Sequence, residues 1–311
     1  MTADTGNPLR GIMFKIASVA IFVMMQTCIK AAGSDVPAGQ ITFYRSAFAL
    51  LPIIAYLAWR RDLMTAVRTD NHFGHLKRGL FGIMSMAFGF YGLVHLPLPE
   101  AIAIGYASPL MAVVFAALVL HERVRIYRWT AVVAGMVGVL IVSWPKLTLF
   151  SEAGLASTQA LGAAAVLMAA LLSGLAMVQV RQLVQTEKTP TIVFYFSQSG
   201  AVFSLISLPF GWAVLSGHQA LFLIGAGICG GIAQIFLTES YRHADVSAVA
   251  PFEYTSFLLG IGIAFVLFGD TPTVPMLIGT GITVASGIFI VYRERQLGLE
   301  RRAARKAAPP T

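Results

Sequence analysis

The sequence predicts an all-α polytopic membrane protein with ten transmembrane helices arranged as two inverted five-helix repeats. Three observations lead there: a composition rich in apolar and poor in charged residues, ten apolar runs with cations gathered in alternate loops, and a self-similarity between the two halves. Of 311 residues, 57% are hydrophobic and 12% charged, with a mean hydropathy of +0.76. Soluble domains carry about a quarter charged residues. Runs of about 20 apolar residues, each long enough to cross the hydrocarbon core, leave no room for a soluble enzyme domain. The net charge of +8 and pI near 9.7 would suit nucleic acid, but the cations sit in loops, where they set topology. Membrane lipid is therefore an expected partner and nucleic acid is not.

Residues 1–10 read as a short cytoplasmic N-terminus, and no small-residue cleavage pattern follows the first span, which reads as an uncleaved anchor. That span, 11–30, contains Lys15, Gln26 and Cys28. The second, 39–58, carries Arg45 and ends at Trp59; the third, 76–95, closes at His95. The fourth, 99–120, is bracketed by Pro97 and Pro99, and Pro109 inside it predicts a kink or an unwound turn. The fifth, 127–144, has Trp129 and Trp144 at its ends, where an amphipathic indole sits best, and pairs Ala131 with Gly135 in a small-xxx-small pattern. After a periplasmic linker, 145–158, come spans 159–180, 191–213, 219–241, 246–268 and 274–292, then a basic cytoplasmic tail, 293–311. Gly227 and Gly231 form a GxxxG in the eighth span, which marks close helix approach.

Orientation follows from the loops. With the N-terminus inside, eighteen of the 22 cations fall on the cytoplasmic side, among them Arg60, Lys77, Arg78 and the tail arginines. Lys146 alone falls outside, and Lys15, Lys30 and Arg45 lie within spans. This asymmetry predicts an even number of helices with both termini cytoplasmic. Cys28 and Cys229 lie in apolar runs without CxxC spacing, so neither a disulfide framework nor a zinc site is expected.

Sliding residues 79–142 by 148 positions lays Gly79 on Gly227, Gly82 on Gly230, His95 on His243, Tyr106 on Tyr254 and Ser108 on Ser256. With a slip of three, FYRSAF at 43–48 lies over FYFSQS at 194–199, aligning Tyr44 with Tyr195 and Arg45 with Phe196. Five spans is an odd number, so the second half enters the membrane from the opposite side. Halves related in this way can exchange inward-open and outward-open shapes, with substrate bound between them.

The stretches LVHLPLPEAIAIGYASPLMAVVFAALVLHERV (93–124), ITFYRSAFALL (41–51) and YRHADVSAVAPFEYTSFLLGIGIAFVLFGDTPT (241–273) resemble the EamA family of the drug/metabolite transporter superfamily. The resemblance runs from about residue 11 to 292 and implies a ten-helix bacterial inner-membrane carrier with a central cavity and with peripheral fifth and tenth helices. It also makes Glu122 a signature position. The variant AVAPFEYTSF (248–257) is similar to the part of the family that includes riboflavin and S-adenosylmethionine uptake carriers.

Ionisable groups inside spans are the sharpest local clues, because a central charge costs at least about 2.5–3.5 kcal/mol unless paired or wet. Arg45 reads either as an anion-binding or gating residue or as half of a structural ion pair with Glu100 or Asp35. Glu253 has Pro251 two residues before it; a broken helix beside a carboxylate can bind a substrate amine or couple a proton. Its alternative is an ion pair with Lys15 or Arg242. Glu239 has Arg242 at i+3 and reads as structural. Tyr106, Tyr254, Tyr44 and Tyr195 are candidates to line a cavity, since a buried phenol seeks a hydrogen-bond partner. Gln26, Gln179, Gln198, Gln234, Ser108 and Ser256 complete the candidate polar set; Lys15, Glu100, Glu239, Pro109 and Pro251 are the structural or gating candidates. His95 and His243 have no ligand partner at i+4, so no metal is expected.

No GxxxxGK[ST], GxSxG or HExxH motif occurs, which removes ATP-driven transport within this chain and the common hydrolases. The expected function is secondary-active transport of a small metabolite of vitamin, nucleoside-like or amino-acid-like size, proton-coupled or by exchange, without a cofactor. An exporter of amino acids or toxic compounds is the alternative within the class; a channel or a non-transporting scaffold lies outside it. Monomer and homodimer both remain open.

Overall fold

A computed structural model describes residues 8–119, 121, 125–147, 157–183, 186–243 and 250–307. Among these the secondary structure is helical throughout. In chain order the helices are α1 (Pro8–Ala32), α2 (Ala38–Trp59), α3 (Leu63–Ala66), α4 (His72–His95), α5 (Leu98–Gly105), α6 (Ala107–Val119), α7 (Ile126–Leu147), α8 (Thr158–Leu183) and α9 (Thr189–Ser204). A 3-10 turn, Leu205–Phe210, prolongs α9, and α10 (Gly217–His243) follows. A second 3-10 turn (Ala250–Tyr254) leads into α11 (Thr255–Ile263), a π segment (Ala264–Phe268) and α12 (Val274–Ala307).

Eight of these segments are long and apolar enough to cross a membrane, counting α5 and α6 together as Leu98–Val119, and Phe252–Phe268 is a shorter apolar helix. Helix α4, the expected third span, falls outside that group; Lys77 and Arg78 sit in its first two turns. Large apolar side chains point outward all along the bundle, among them Met13, Leu51, Val133, Leu221 and Val266. In water such a surface would associate; in lipid it is solvated. Trp59, Trp129 and Trp144 are exposed at or near helix ends.

The expected fourth span is divided. Pro109 lacks an N–H and its ring crowds the carbonyl of the residue four positions earlier, which is Gly105, the last residue of α5. The turn at Tyr106 lies one residue beyond, so the proline acts upstream of itself. Helix α1 ends conventionally: Gly33, at φ 94°, donates its N–H to the Lys30 carbonyl at 3.1 Å.

Helices from the two halves interleave. Helix α1 packs along α10, α4 along α8, and α7 along α12; α2 packs against α9 and α10, α4 against α9, and α6 against α8. The GxxxG has the expected packing role: a Cβ at Gly227 would meet the Tyr44 carbonyl oxygen at 2.8 Å, and one at Gly231 the Ala49 carbonyl oxygen at 2.6 Å. Only hydrogen at these positions lets α10 lie against α2. The largest fully buried side chains include Ile29, Ile41, Leu96, Leu98, Ile104 and Leu223, which form one core between the halves.

Glu122, residues 148–156 of the expected linker, residues 246–249 of the ninth span and the side chains of Pro251 and Arg242 lie outside what is described.

Candidate functional site

Ionisable and polar groups inside the bundle form three groups. The first lies where α1 meets the 3-10 turn 250–254. Lys15 is buried, and its Nζ forms an ion pair with Glu253 Oε2, whose side chain is 48% exposed. Glu253 therefore stands in a non-α segment beside a proline, as expected, and its cation is Lys15, one of the two partners foreseen. Its neighbours extend the group. The Ser256 Oγ donates to the Glu253 carbonyl at 2.7 Å, and the Tyr106 hydroxyl lies 2.6 Å from Ser256 Oγ. Tyr106 and Tyr254 meet edge to face, with ring centroids 5.2 Å apart.

The second group lies where α2, α4 and α9 meet, with Arg78 and Phe196 half-buried, and differs from the expectation. Arg45 is 95% buried, given its relative exposure of 5%, but its neighbours are neither Glu100 nor Asp35. Its guanidinium lies 5.8 Å from the centre of the Phe196 ring, and that of Arg78 lies 4.0 Å from the same ring. The Nε of Arg45 and the Nε and Nη1 of Arg78 are sealed from solvent without a hydrogen-bond partner among the described residues. Among the described residues neither guanidinium forms an ion pair with a carboxylate. Gly82 supplies the space, since a Cβ there would collide with Arg78 Nη1 and with the Phe196 ring; Gly230 lies against Arg45 Nε. Burying one arginine costs at least about 2.5–3.5 kcal/mol, whereas a desolvated cation–π contact returns about 2 kcal/mol. Two like charges on one ring are thus under-compensated by the described protein groups.

The third group lines a cleft of about 410 Å³ among Tyr56, Arg60, Asp62, Glu187, Lys188 and Glu239. The Tyr56 hydroxyl donates to Glu239, Arg60 Nη1 stands 3.4 Å from the same carboxylate, and His243 Nδ1 is bonded to the Glu239 carbonyl at 2.8 Å. Glu239 is therefore held by α2 and α10 together. Arg60, at the exposed end of α2, has its pKa raised, first by its hydrogen bond with Tyr56.

The remaining candidates spread out. Gln26, with Oε1 sealed and without a hydrogen-bond partner among the described residues, shares a cavity of about 170 Å³ with Ser85, Ser108 and Ser173. Ser108 Oγ donates to the Ala170 carbonyl at 3.4 Å. Tyr44 and Tyr195 do not act as a pair: Tyr44 stacks on Phe48, while Tyr195 stacks on His75 and donates to the Val67 carbonyl at 2.8 Å. Gln179 and Gln234 are half-buried, and Gln198 is exposed rather than buried. Glu100 is buried in the first turn of α5, within electrostatic reach of Lys30. No group of three metal-ligating side chains occurs among the described residues.

Arg78 and Phe196 are the residues whose role the sequence did not reveal. In the sequence Arg78 reads as an inner-loop cation at the start of the span 76–95, whereas the fold half-buries it. Phe196 drew notice only as the residue standing where Arg45 stands in the other half.

A family model described as the EamA-like transporter family matches residues 9–144 and 160–292. The chain is 29% identical to the pseudopaline exporter CntI of Pseudomonas aeruginosa (strain UCBPP-PA14), over 90% of this chain and 93% of that one. It is 24% identical to the S-adenosylmethionine uptake transporter of Rickettsia prowazekii (strain Madrid E), over 93% and 94%. It is 30% identical to a riboflavin transporter of Rhizobium johnstonii, over 92% and 89%. A solved crystal structure of a protein with 20% identity superposes with a TM-score of 0.64, covering 92% of this chain and 98% of that one, which supports the fold alone.

Proposed function

This chain belongs to the EamA-like transporter family and is a transporter, and from that premise we propose that it is a secondary-active carrier of a small metabolite. In this reading two inverted repeats, 11–144 and 159–292, of five helices each alternate access across a bacterial inner membrane, with both termini cytoplasmic. The observation that carries the reading is that residues equivalent in the two halves meet one another. Tyr106 touches Tyr254, Thr283 donates to the Gly135 carbonyl across the same separation of 148 residues, and Arg45 lies on Phe196. Equivalent residues face each other where a two-fold axis passes between two related halves, and such an axis is what alternating access by inverted repeats uses. The packing supports the same exchange. The pair α1 with α10 has its counterpart in α8 with α4, α2 with α10 in α9 with α4, and α6 with α8 in α11 with α1.

The Lys15–Glu253 ion pair ties the first half to the second. A cycle that rocks one half against the other breaks this tie, and a proton or a substrate amine arriving at the half-exposed carboxylate is the natural trigger. Vitamin, nucleoside-like and amino-acid-like metabolites fit the scale of the family. Import and export are two directions of one reversible cycle, set by the gradients, and the named relatives include an exporter and an uptake carrier.

The test is counterflow in proteoliposomes, using hits from a thermal-shift panel that includes riboflavin, S-adenosylmethionine and amino acids. Saturable counterflow is expected of wild type; its absence, or a non-saturating flux, would identify a scaffold or a channel. In Glu253→Gln, retained counterflow with lost proton-driven accumulation assigns Glu253 to coupling. Lost binding assigns it to the substrate, and behaviour identical to wild type removes it from the mechanism.

A further inference from the structure

We propose that Arg45 and Arg78, gathered on Phe196 where α2, α4 and α9 meet, form the subsite for an anionic group, a carboxylate or a phosphate, on the transported substrate. The inference rests on the carrier reading above and supplies the charge class of its substrate.

Four observations carry it. Arg45 is 95% buried, given its 5% exposure, and three guanidinium nitrogens of the two side chains are sealed without an acceptor among the described residues. A guanidinium is a donor-only group, always charged, with a planar fork that matches two oxygens of one acid group. Each arginine sits on a different helix, about 10 Å or less along α2 and along α4. Yet both side chains end at one ring of a third helix, α9. Two surface arginines would snorkel outward; these two converge. Lastly, glycine at 82 leaves room for the Arg78 head, a gap that a single methyl would fill.

A purely structural role accounts for these facts poorly. A structural arginine in lipid is paired with a carboxylate or with carbonyls, and among the described residues the buried or half-buried carboxylates stand elsewhere, with Lys15, with Arg60, with His75 and near Lys30. An acid group arriving between the two guanidiniums neutralises their repulsion and satisfies their donors in one step. It thereby couples substrate binding to the approach of α2, α4 and α9, which come from both halves. Phe196 beneath the guanidiniums offers an apolar face to the body of the substrate.

The experiment uses purified full-length protein at low chloride and two charge-matched probe pairs: phenylpropionate with its amide, and riboflavin 5′-phosphate with riboflavin. In wild type at least one anion is expected to bind about tenfold or more tightly than its neutral counterpart. The carboxylate and phosphate arms decide which acid group is preferred. Raised chloride should erode the advantage, and R78Q and R45Q should abolish it. Equal binding within both pairs, or an advantage retained in R78Q, would overturn the proposal. The wild-type comparison needs no variant to fold. It is also an equilibrium measurement, so it separates failure of the anion subsite from failure of the carrier reading, which shows in counterflow.

Discussion

At the junction of α1 with the 3-10 turn 250–254, the buried Lys15 ammonium meets a carboxylate that is half open to its surroundings. Further along α1, beside Met25, Arg45 and Arg78 share one aromatic ring, and neither has a carboxylate partner among the described residues. Both sites bring charge inside an apolar bundle, and both join segments from the two halves. They differ in what completes them. On the roles proposed above, the first is complete as it stands and opens during the cycle, whereas the second is finished by what arrives. A carrier has use for both kinds, since one holds a conformation and the other reads a ligand.

The substitution that breaks this contrast most severely is Arg45→Glu, which turns the like-charge pair into an opposite-charge pair with Arg78. Transport should fall roughly thirtyfold or more, the loss expected when a contact of about 2 kcal/mol is removed, while thermal stability in detergent should rise. Loss of both would refute the comparison. Next in size is the coupling between Lys15 and Glu253. A double-mutant cycle of Lys15→Met and Glu253→Gln, read by equilibrium unfolding in mixed micelles, should give an interaction of about 1 kcal/mol or more. Additive effects would mean that the pair is incidental.

A smaller effect calibrates packing against function. The backbones of α7 and α12 touch at Gly138 and Gly279, where a Cβ at Gly138 would lie 2.9 Å from the Thr283 nitrogen and one at Gly279 would lie 2.7 Å from Val142 Cγ2. Gly279→Ala should destabilise by about 1–3 kcal/mol through overpacking and leave ligand affinity within about twofold in thermal-shift titrations, because the seam lies away from both charge sites. The smallest effect belongs to Tyr106→Phe. It removes the hydroxyl from the 2.6 Å contact with Ser256 and should cost about 1 kcal/mol, with the edge-to-face contact to Tyr254 retained. A larger loss, confined to transport, would move the tyrosine pair from packing into the substrate path.

Legibility in the sequence varied with the range of the interaction. Pro109 announced a break in the fourth span, and local backbone chemistry placed that break at Tyr106. The GxxxG of α10 announced a close approach, and α2 fills it. Lys15 was nameable as a partner of Glu253 because few intramembrane cations exist to choose from. Arg45 was legible as a buried charge, but its surroundings were not: the nearest carboxylates in the predicted topology were Glu100 and Asp35, whereas the bundle delivers Arg78 and Phe196. Tyr44 and Tyr195 share an aligned position and still take different neighbours, since each phenol answers to the helix beside it.

What the sequence by itself determined is what one dimension can encode: the apolar runs that commit the chain to lipid, the prolines that interrupt them, and several of the charges carried inside, Lys15, Arg45 and Glu253 among them. The tertiary structure alone decided which of those charges meet. Partnership inside a bundle depends on the rotation of each helix about its axis and on the length of each side chain, and both are set by packing between helices far apart in the chain. The Arg45–Phe196–Arg78 cluster joins α2, α4 and α9, and no local pattern records that these three faces turn toward one another.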